Sequence, residues 1–104
     1  MVLTTTDSKE AAQELARSAV AARLAACGQI VGPIESVFWW DGALDESAEY
    51  QVWFKTTAEL YEALARHIAS NHTYDVPEIL RVPVDGGGAP YLDWIRAYTL
   101  VTPA

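Results

Sequence analysis

The sequence has a single cysteine, few cationic side chains and no long hydrophobic run. Cys27 has no second cysteine with which to form a disulfide bond within the chain, which is typical of proteins from a reducing compartment. Seven lysines and arginines against fourteen aspartates and glutamates give a formal net charge of −7. That charge disfavours nucleic acid and anionic membrane surfaces as partners. No apolar run approaches the roughly 20 residues that cross a bilayer.

The length and composition predict one domain covering residues 1–104. A chain of 104 residues that is 51% hydrophobic is long enough for a two-layer core and too short for two domains. The first residues, MVLTTTDSKE, lack a basic region followed by an apolar core. We therefore expect no signal peptide and a cytoplasmic protein.

Residues 35–57 predict two strands joined by a tight turn at Asp41-Gly42, since glycine adopts positive φ without a Cβ clash. Alternation places Phe38 and Trp40 on one face of the hairpin and Trp39 on the other. A sheet in a small domain usually buries one face and exposes the other to water. Large apolar groups on both faces therefore indicate that another copy of the chain covers one of them.

The remaining periodicity predicts a further pair of strands and three helices. The first strand is predicted at residues 2–6, the hairpin strands at 30–40 and 48–55, and the fourth strand at 79–84. The first helix is predicted at about 8–26, with Asp7 as its N-terminal cap and Gly28 as its stop. The second helix is predicted from 58 to about 70, and a short last helix begins at Pro90. This order is the α+β, ferredoxin-like split βαβ arrangement, an antiparallel sheet with helices on one face.

Polar side chains gather at or just beyond the predicted ends of the strands and the second helix, where loops often carry function. They are Lys55, His72, Tyr74, Asp75 and Glu78. Helix capping and surface pairing explain them as well as ligand contact does, and both interpretations stay open. If an ion binds, His72, Asp75 and Glu78 are the candidate ligands. Imidazole and carboxylate donors favour zinc or copper over magnesium.

Two interpretations of the sequence as an enzyme have less support from its residues than the ligand or ion site has. Cys27 with His67 or His72 has the residue types of thiol catalysis, but a buried structural cysteine is the more economical interpretation. An acylphosphatase-like hydrolase of the same fold would hold an acyl phosphate with Lys55 and Lys9, and fold alone does not imply that activity.

Five ordered motifs resemble one family. They are Arg23-Leu24-Ala25-Ala26-Cys27, Phe38-Trp39-Trp40-Asp41-Gly42, Lys55-Thr56-Thr57, His72-Thr73-Tyr74-Asp75-Val76-Pro77-Glu78-Ile79 and Tyr91-Leu92-Asp93-Trp94-Ile95. They are similar to motifs of the CutA divalent-cation tolerance proteins. The resemblance implies a cytosolic, PII-like homotrimer without a catalysed reaction or a required cofactor, linked to tolerance of copper and other divalent cations.

The resemblance also implies a small-ligand or ion cleft between subunits, formed by Trp40, Lys55, His72, Tyr74, Glu78 and Trp94. The chain departs from the copper ligands proposed for some relatives at two positions. Thr4 stands where a cysteine is proposed, and Asn71 stands where a histidine precedes His72. A thiolate and an imidazole are therefore missing, which weakens Cu(I) binding in particular.

Overall fold

The chain folds into a four-stranded antiparallel sheet with helices on one face, in a computed structural model that describes residues 1–100. In chain order the elements are β1 (Val2–Thr6), α1 (Lys9–Ala21), β2 (Cys27–Trp40), β3 (Ala43–Lys55), a 3-10 turn (Ala58–Leu60), α2 (Tyr61–Asn71), β4 (Ile79–Arg81) and α3 (Ala89–Ala97). The strands lie in the order β2-β3-β1-β4. This order confirms the predicted ferredoxin-like class.

Helix α1 begins with a different cap from the predicted one. Ser8 is the cap rather than Asp7, because its backbone is extended and its Oγ accepts the amide of Ala11 at 3.1 Å. Asp7 is exposed and one residue too early to reach that amide group. Serine and aspartate are nearly equal in cap preference, so residue type alone did not separate them.

The same helix ends at Ala21, before the predicted end at Ala26. Arg23 adopts a φ of 59°, in the left-handed region that commonly closes a helix. The amide of Leu24 then bonds back to a carbonyl of the last turn at 3.0 Å. The predicted stop, Gly28, lies inside β2.

The hairpin of β2 and β3 forms with the predicted turn and the predicted faces. Trp40 pairs with Ala43, and the two residues between them, Asp41 and Gly42, have φ of 49° and 78°. Positive φ at both central residues matches the twist of the flanking strands. Both strands are longer than predicted, so the hairpin projects well beyond the helices.

A β-bulge interrupts the hairpin between Val31 and Ile34. The Gly32–Pro33 peptide bond within it is cis. A Cβ on Gly32 would lie 2.6 Å from the ring of Tyr50, so only glycine fits this close approach. The bulge separates the part of the hairpin that lies over the helices from the part that projects.

Strand β4 is shorter than predicted and covers Ile79–Arg81 instead of 79–84. One more backbone bond follows it, from the amide of Val82 to the carbonyl of Met1 at 2.8 Å. Pro83 then has no amide hydrogen to donate, so the ladder stops.

The core lies between the sheet and the helices. The largest fully buried side chains are Phe54, Leu60, Leu64, Ile68, Val2 and Val52. Alternation along β3 turns Val52 and Phe54 towards the helices and Gln51 and Trp53 towards the opposite face. On that opposite face Leu80 is still 52% exposed.

Thr4 places a hydroxyl group in this core without a hydrogen-bond partner among residues 1–100. A buried polar group without a partner costs about 1–3 kcal/mol. Thr4→Val keeps the shape and removes the hydroxyl, so we expect the free energy of unfolding in urea to rise by about that amount. Thr6→Val is the matched control. The Thr6 hydroxyl donates to the carbonyl of Ser8 at 2.7 Å, and its removal should lower stability. An equal response of the two variants would contradict this account.

Candidate ligand site

His72 lies just past the end of α2, and both of its ring nitrogens make hydrogen bonds. Nε2 lies 2.7 Å from the carbonyl oxygen of Thr5, and Nδ1 accepts the amide of Tyr74 at 3.0 Å. A carbonyl oxygen only accepts, so Nε2 carries the ring hydrogen and the unshared electron pair lies on Nδ1. The imidazole therefore ties the loop after α2 to the central strand β1.

Tyr74 continues this network towards the hairpin. Its ring packs against that of His72 with the centroids 5.0 Å apart, and its hydroxyl donates to the Glu49 carboxylate at 2.8 Å. Burial raises the pKa of the Tyr74 phenol, and the hydrogen bond and charge of Glu49 raise it further, with a smaller effect from Asp7. The phenol is therefore held as a hydrogen-bond donor.

Tyr74→Phe removes this donor and leaves the Glu49 carboxylate without it. We expect the free energy of unfolding to fall by about 1–2 kcal/mol, as for other hydrogen bonds to charged groups near a surface. Chemical denaturation of Tyr74→Phe checks this, with Tyr98→Phe, an exposed tyrosine just past the end of α3, as the control. In a double-mutant cycle with Glu49→Gln, purely additive effects would contradict a direct bond.

Glu78 adds a second carboxylate near Glu49. Burial raises the pKa of the Glu78 carboxyl from its ordinary value of 4.5, and the negative charge of Glu49 raises it further. We call Glu49, His72, Tyr74 and Glu78 the Glu49 cluster. It is a polar network at the edge of the projecting hairpin, in which the negative charge of Glu49 disfavours ionisation of Glu78.

The raised pKa of Glu78 gives stability a pH dependence with a definite sign. The folded carboxyl binds its proton more tightly than the unfolded one, so the free energy of unfolding falls as the pH rises above about 4.5. Glu78→Gln should remove that fall. The variant should gain stability relative to the native chain between pH 4 and pH 7, measured by urea unfolding. The gain should shrink in a Glu49→Gln background, and a gain of the opposite sign would contradict the assignment.

The three candidate metal ligands are not assembled within one chain. Asp75 is exposed, and in residues 1–100 no three histidine, cysteine, aspartate or glutamate side chains converge as an ion site. His72 holds both ring nitrogens in hydrogen bonds. An ion at His72 must bind Nδ1 and displace the amide of Tyr74, because that nitrogen has the unshared pair.

The other predicted cleft residues lie apart from the Glu49 cluster. Lys55 ends β3, and its Nζ donates to the side-chain carbonyl of Gln29. Trp94, on α3, stacks on Tyr91 with the ring centroids 5.6 Å apart. Trp40 lies at the hairpin tip, about 40 Å from Lys55 at the usual rise along a strand. One chain therefore does not bring the six predicted cleft residues together.

The structure does not form either catalytic arrangement. Cys27 bonds to neither histidine in the described part of the chain, and Nε2 of His67 lies 2.8 Å from Oγ of Ser18, which links α2 to α1. Lys9 follows one end of β1, whereas Lys55 lies beside its other end. The two cations required by the hydrolase interpretation are therefore separated by the length of a strand.

Sequence reasoning missed Glu49 and the Thr5 carbonyl, which hold Tyr74 and His72. Alternation along β3 places Glu49 on the same face as Gln51 and Trp53, away from the helices. Nothing local connects it with a tyrosine 25 residues later, because that contact depends on how the loop after α2 returns to the sheet. Asn71, the last residue of α2, caps the C-terminal end of that helix: its Nδ2 donates to the His67 carbonyl at 2.8 Å.

The sheet order, the helices on one face and the projecting hairpin define a ferredoxin-like α+β domain with a polar cluster beside its open face. Comparison with known proteins narrows this class. The sequence model of the CutA1 divalent ion tolerance protein family matches residues 1–98. The chain belongs to that family, which confirms the resemblance of the five motifs.

Relatives from plants and bacteria agree with this assignment. Protein CutA 1, chloroplastic, from Oryza sativa is 43% identical over 99 residues, which are 95% of this chain and 56% of the rice protein. This chain thus spans about half the length of its plant relatives. The divalent-cation tolerance protein CutA from Pectobacterium atrosepticum is 37% identical over 93% of this chain and 88% of its own length.

Solved structures of the family show the same fold. The crystal structure of CutA1 from Oryza sativa has a TM-score of 0.94 and 42% identity, covering 97% of this chain and 93% of that one. The CutA from Archaeoglobus fulgidus, described as periplasmic, has a TM-score of 0.90 and 32% identity, covering 93% and 94%. These relatives are named for different compartments, so a cytoplasmic location stays a prediction. None of the helices in residues 1–100 is long and apolar enough to span a membrane.

Proposed function

We propose that this protein supports tolerance of divalent cations, without a catalysed reaction, as a PII-like homotrimer that binds an ion or small ligand where its copies meet. The observation that carries the proposal is the hairpin. Its tip holds Trp40 about 40 Å from Lys55, so only another copy can bring such a tryptophan to the body of the chain. The lone cysteine supports a reducing, cytoplasmic setting.

The surface of the hairpin supports association of copies. Trp39 is 76% exposed, Trp40 65%, Val37 60% and Leu44 61%, all on the projecting part. A monomeric protein rarely leaves so many large apolar side chains together in water. A stable interface buries about 800 Å² on each partner, and an exposed two-faced hairpin joined to an open sheet face offers surface of that kind.

Copper(I) is a poor fit for this chain. Thr4 is fully buried on the helix side of the sheet, and its hydroxyl is a hard oxygen rather than a soft sulfur. Zn²⁺ and Cu²⁺ are compatible with imidazole and carboxylate donors. We propose Nδ1 of His72 and the Glu78 carboxylate as ligands, with Asp75 or a group from a neighbouring copy completing the set.

Titration of the metal-free protein with Zn²⁺ and Cu²⁺ tests both parts of the proposal. Analytical ultracentrifugation should give three times the chain mass of 11.4 kDa, and tryptophan fluorescence should respond saturably at one ion per chain. His72→Ala should abolish the response. His67→Ala, which changes the other histidine, should retain it. A monomer mass would overturn the assembly, and an equal loss in both variants would overturn the ion site.

A further inference from the structure

A groove of about 920 Å³ lies at the end of the sheet where β3 finishes and α3 crosses. Its lining includes Lys55, Arg81 and Arg96 together with Tyr61, Tyr91 and Leu92. The groove is separate from the Glu49 cluster, none of whose residues line it. It has the size of a small-molecule site.

The charge of this groove is opposite to that of the chain. It contains three of the seven lysines and arginines but, of the fourteen acidic residues, only Glu59 among the described residues. In a protein with a net charge of −7, this is a local excess of positive charge. Such an excess in a concave surface attracts anions and raises their local concentration.

The groove's cations are weakly neutralised. Lys55 donates to a neutral amide oxygen of Gln29, and the Arg81 guanidinium lies 5.1 Å from the centroid of the Tyr61 ring. Arg96 pairs with Asp93 at 3.3 Å, but both side chains are largely exposed. An exposed pair of this kind contributes little, so the guanidinium remains available to a stronger acceptor.

The walls of the groove offer aromatic surface beside these charges. Tyr61 already accepts a guanidinium over its ring, and Tyr91 stands at the start of α3 beside Leu92. Gly87 packs closely against Leu92. A Cβ added to Gly87 would lie 3.2 Å from the side chain of Leu92. Arginine binds phosphate and carboxylate through paired hydrogen bonds, while flat aromatic and aliphatic walls accept a planar apolar body.

We propose that this groove binds a small organic anion consisting of a phosphate or carboxylate joined to a planar ring. Arg81, Arg96 and Lys55 hold the anionic group, and Tyr61 and Tyr91 pack against the ring. This goes beyond the proposed function, because the groove is formed within one chain and Lys55 is the one predicted cleft residue that lines it.

The test is calorimetry of the metal-free full chain with phenyl phosphate, benzoate, inorganic phosphate and benzylamine. Phenyl phosphate should bind saturably and more tightly than inorganic phosphate, and benzylamine should not bind. Arg81→Gln and Arg96→Gln should each weaken binding at least about tenfold, the scale of one lost charge-assisted contact. Arg66→Gln, an exposed cation of α2 outside the groove, should change it less than about twofold.

The outcomes are distinguishable. Binding that weakens as salt rises, and whose amide NMR shifts concentrate at Gly86 and Gly87, supports an anion in the groove. If Arg66→Gln weakens binding of phenyl phosphate as much as the groove variants do, the overall charge of the protein explains the binding and the proposal is overturned. Binding of benzylamine as tight as that of phenyl phosphate would also overturn it. Circular dichroism of each variant identifies one that fails to fold, and Lys55→Gln then replaces it. The zinc titration is separate, so either result can fail alone.

Discussion

Trp40→Ala is expected to lower the assembly-linked free energy of unfolding by about 3–5 kcal/mol, the cost of truncating a buried tryptophan. In a single chain Trp40 is 65% exposed, so the same change in a monomer would cost no more than about 0.5 kcal/mol. The size of the loss therefore reports whether another copy covers the hairpin tip. Denaturant unfolding at fixed protein concentration, with the mass measured alongside, gives the answer.

Ser36→Ala provides the control for this change. Ser36 lies on the same face of the hairpin and pairs with Ser47, so the variant tests the effect of altering the strand without removing an aromatic ring. The Asp41-Gly42 turn is unchanged in both variants, and both should fold. A Trp40→Ala protein with native mass and native unfolding midpoint would refute the proposed placement.

Phe54→Ala is expected to cost about 3–5 kcal/mol of unfolding free energy independently of assembly. The ring is fully buried on the helix face of β3. It also lies beside Gly28, where an added Cβ would approach its Cε1 to 3.4 Å. The close approach of α1 and β2 leaves the cavity little room to collapse, and an uncollapsed cavity costs the most.

Phe54→Leu separates the cavity from the loss of the aromatic ring. Because most of the volume is kept, the cost should stay below about 1.5 kcal/mol. Trp53→Ala, on the opposite face of the same strand, should cost less than Phe54→Ala if the core lies only on the helix side. Equal costs at the two positions would mean that the open face is buried to the same degree.

The hairpin was predictable because its signals are local. Alternation and the Asp41-Gly42 turn fixed which side chains share a face, and the pairing of Trp40 with Ala43 confirms the register. The end of α1 was not predictable in the same way. Arg23 adopts a left-handed conformation, which is uncommon for arginine and could not be predicted from the residue type. Strand β4 ends before Pro83, earlier than the hydrophobic pattern of residues 79–84 indicated.

The candidate site was predictable only in part. His72, Tyr74 and Glu78 are neighbours in sequence, so their shared loop could be recognised. Their partners, Thr5 and Glu49, come from distant strands and depend on the tertiary fold. The groove lined by Lys55, Arg81 and Arg96 also depends on the tertiary fold, because its arginines come from β4 and α3 and share no sequence motif.

Both edge strands of the sheet have features that oppose backbone pairing with another extended chain. β2 and β4 are the edge strands, and an edge offers unpaired backbone groups to any extended chain. Pro33 and the bulge interrupt the long edge of β2, Glu35 adds a charge, and Pro83 follows the short edge of β4. These features disfavour strand-to-strand fibre growth from either edge of a single chain.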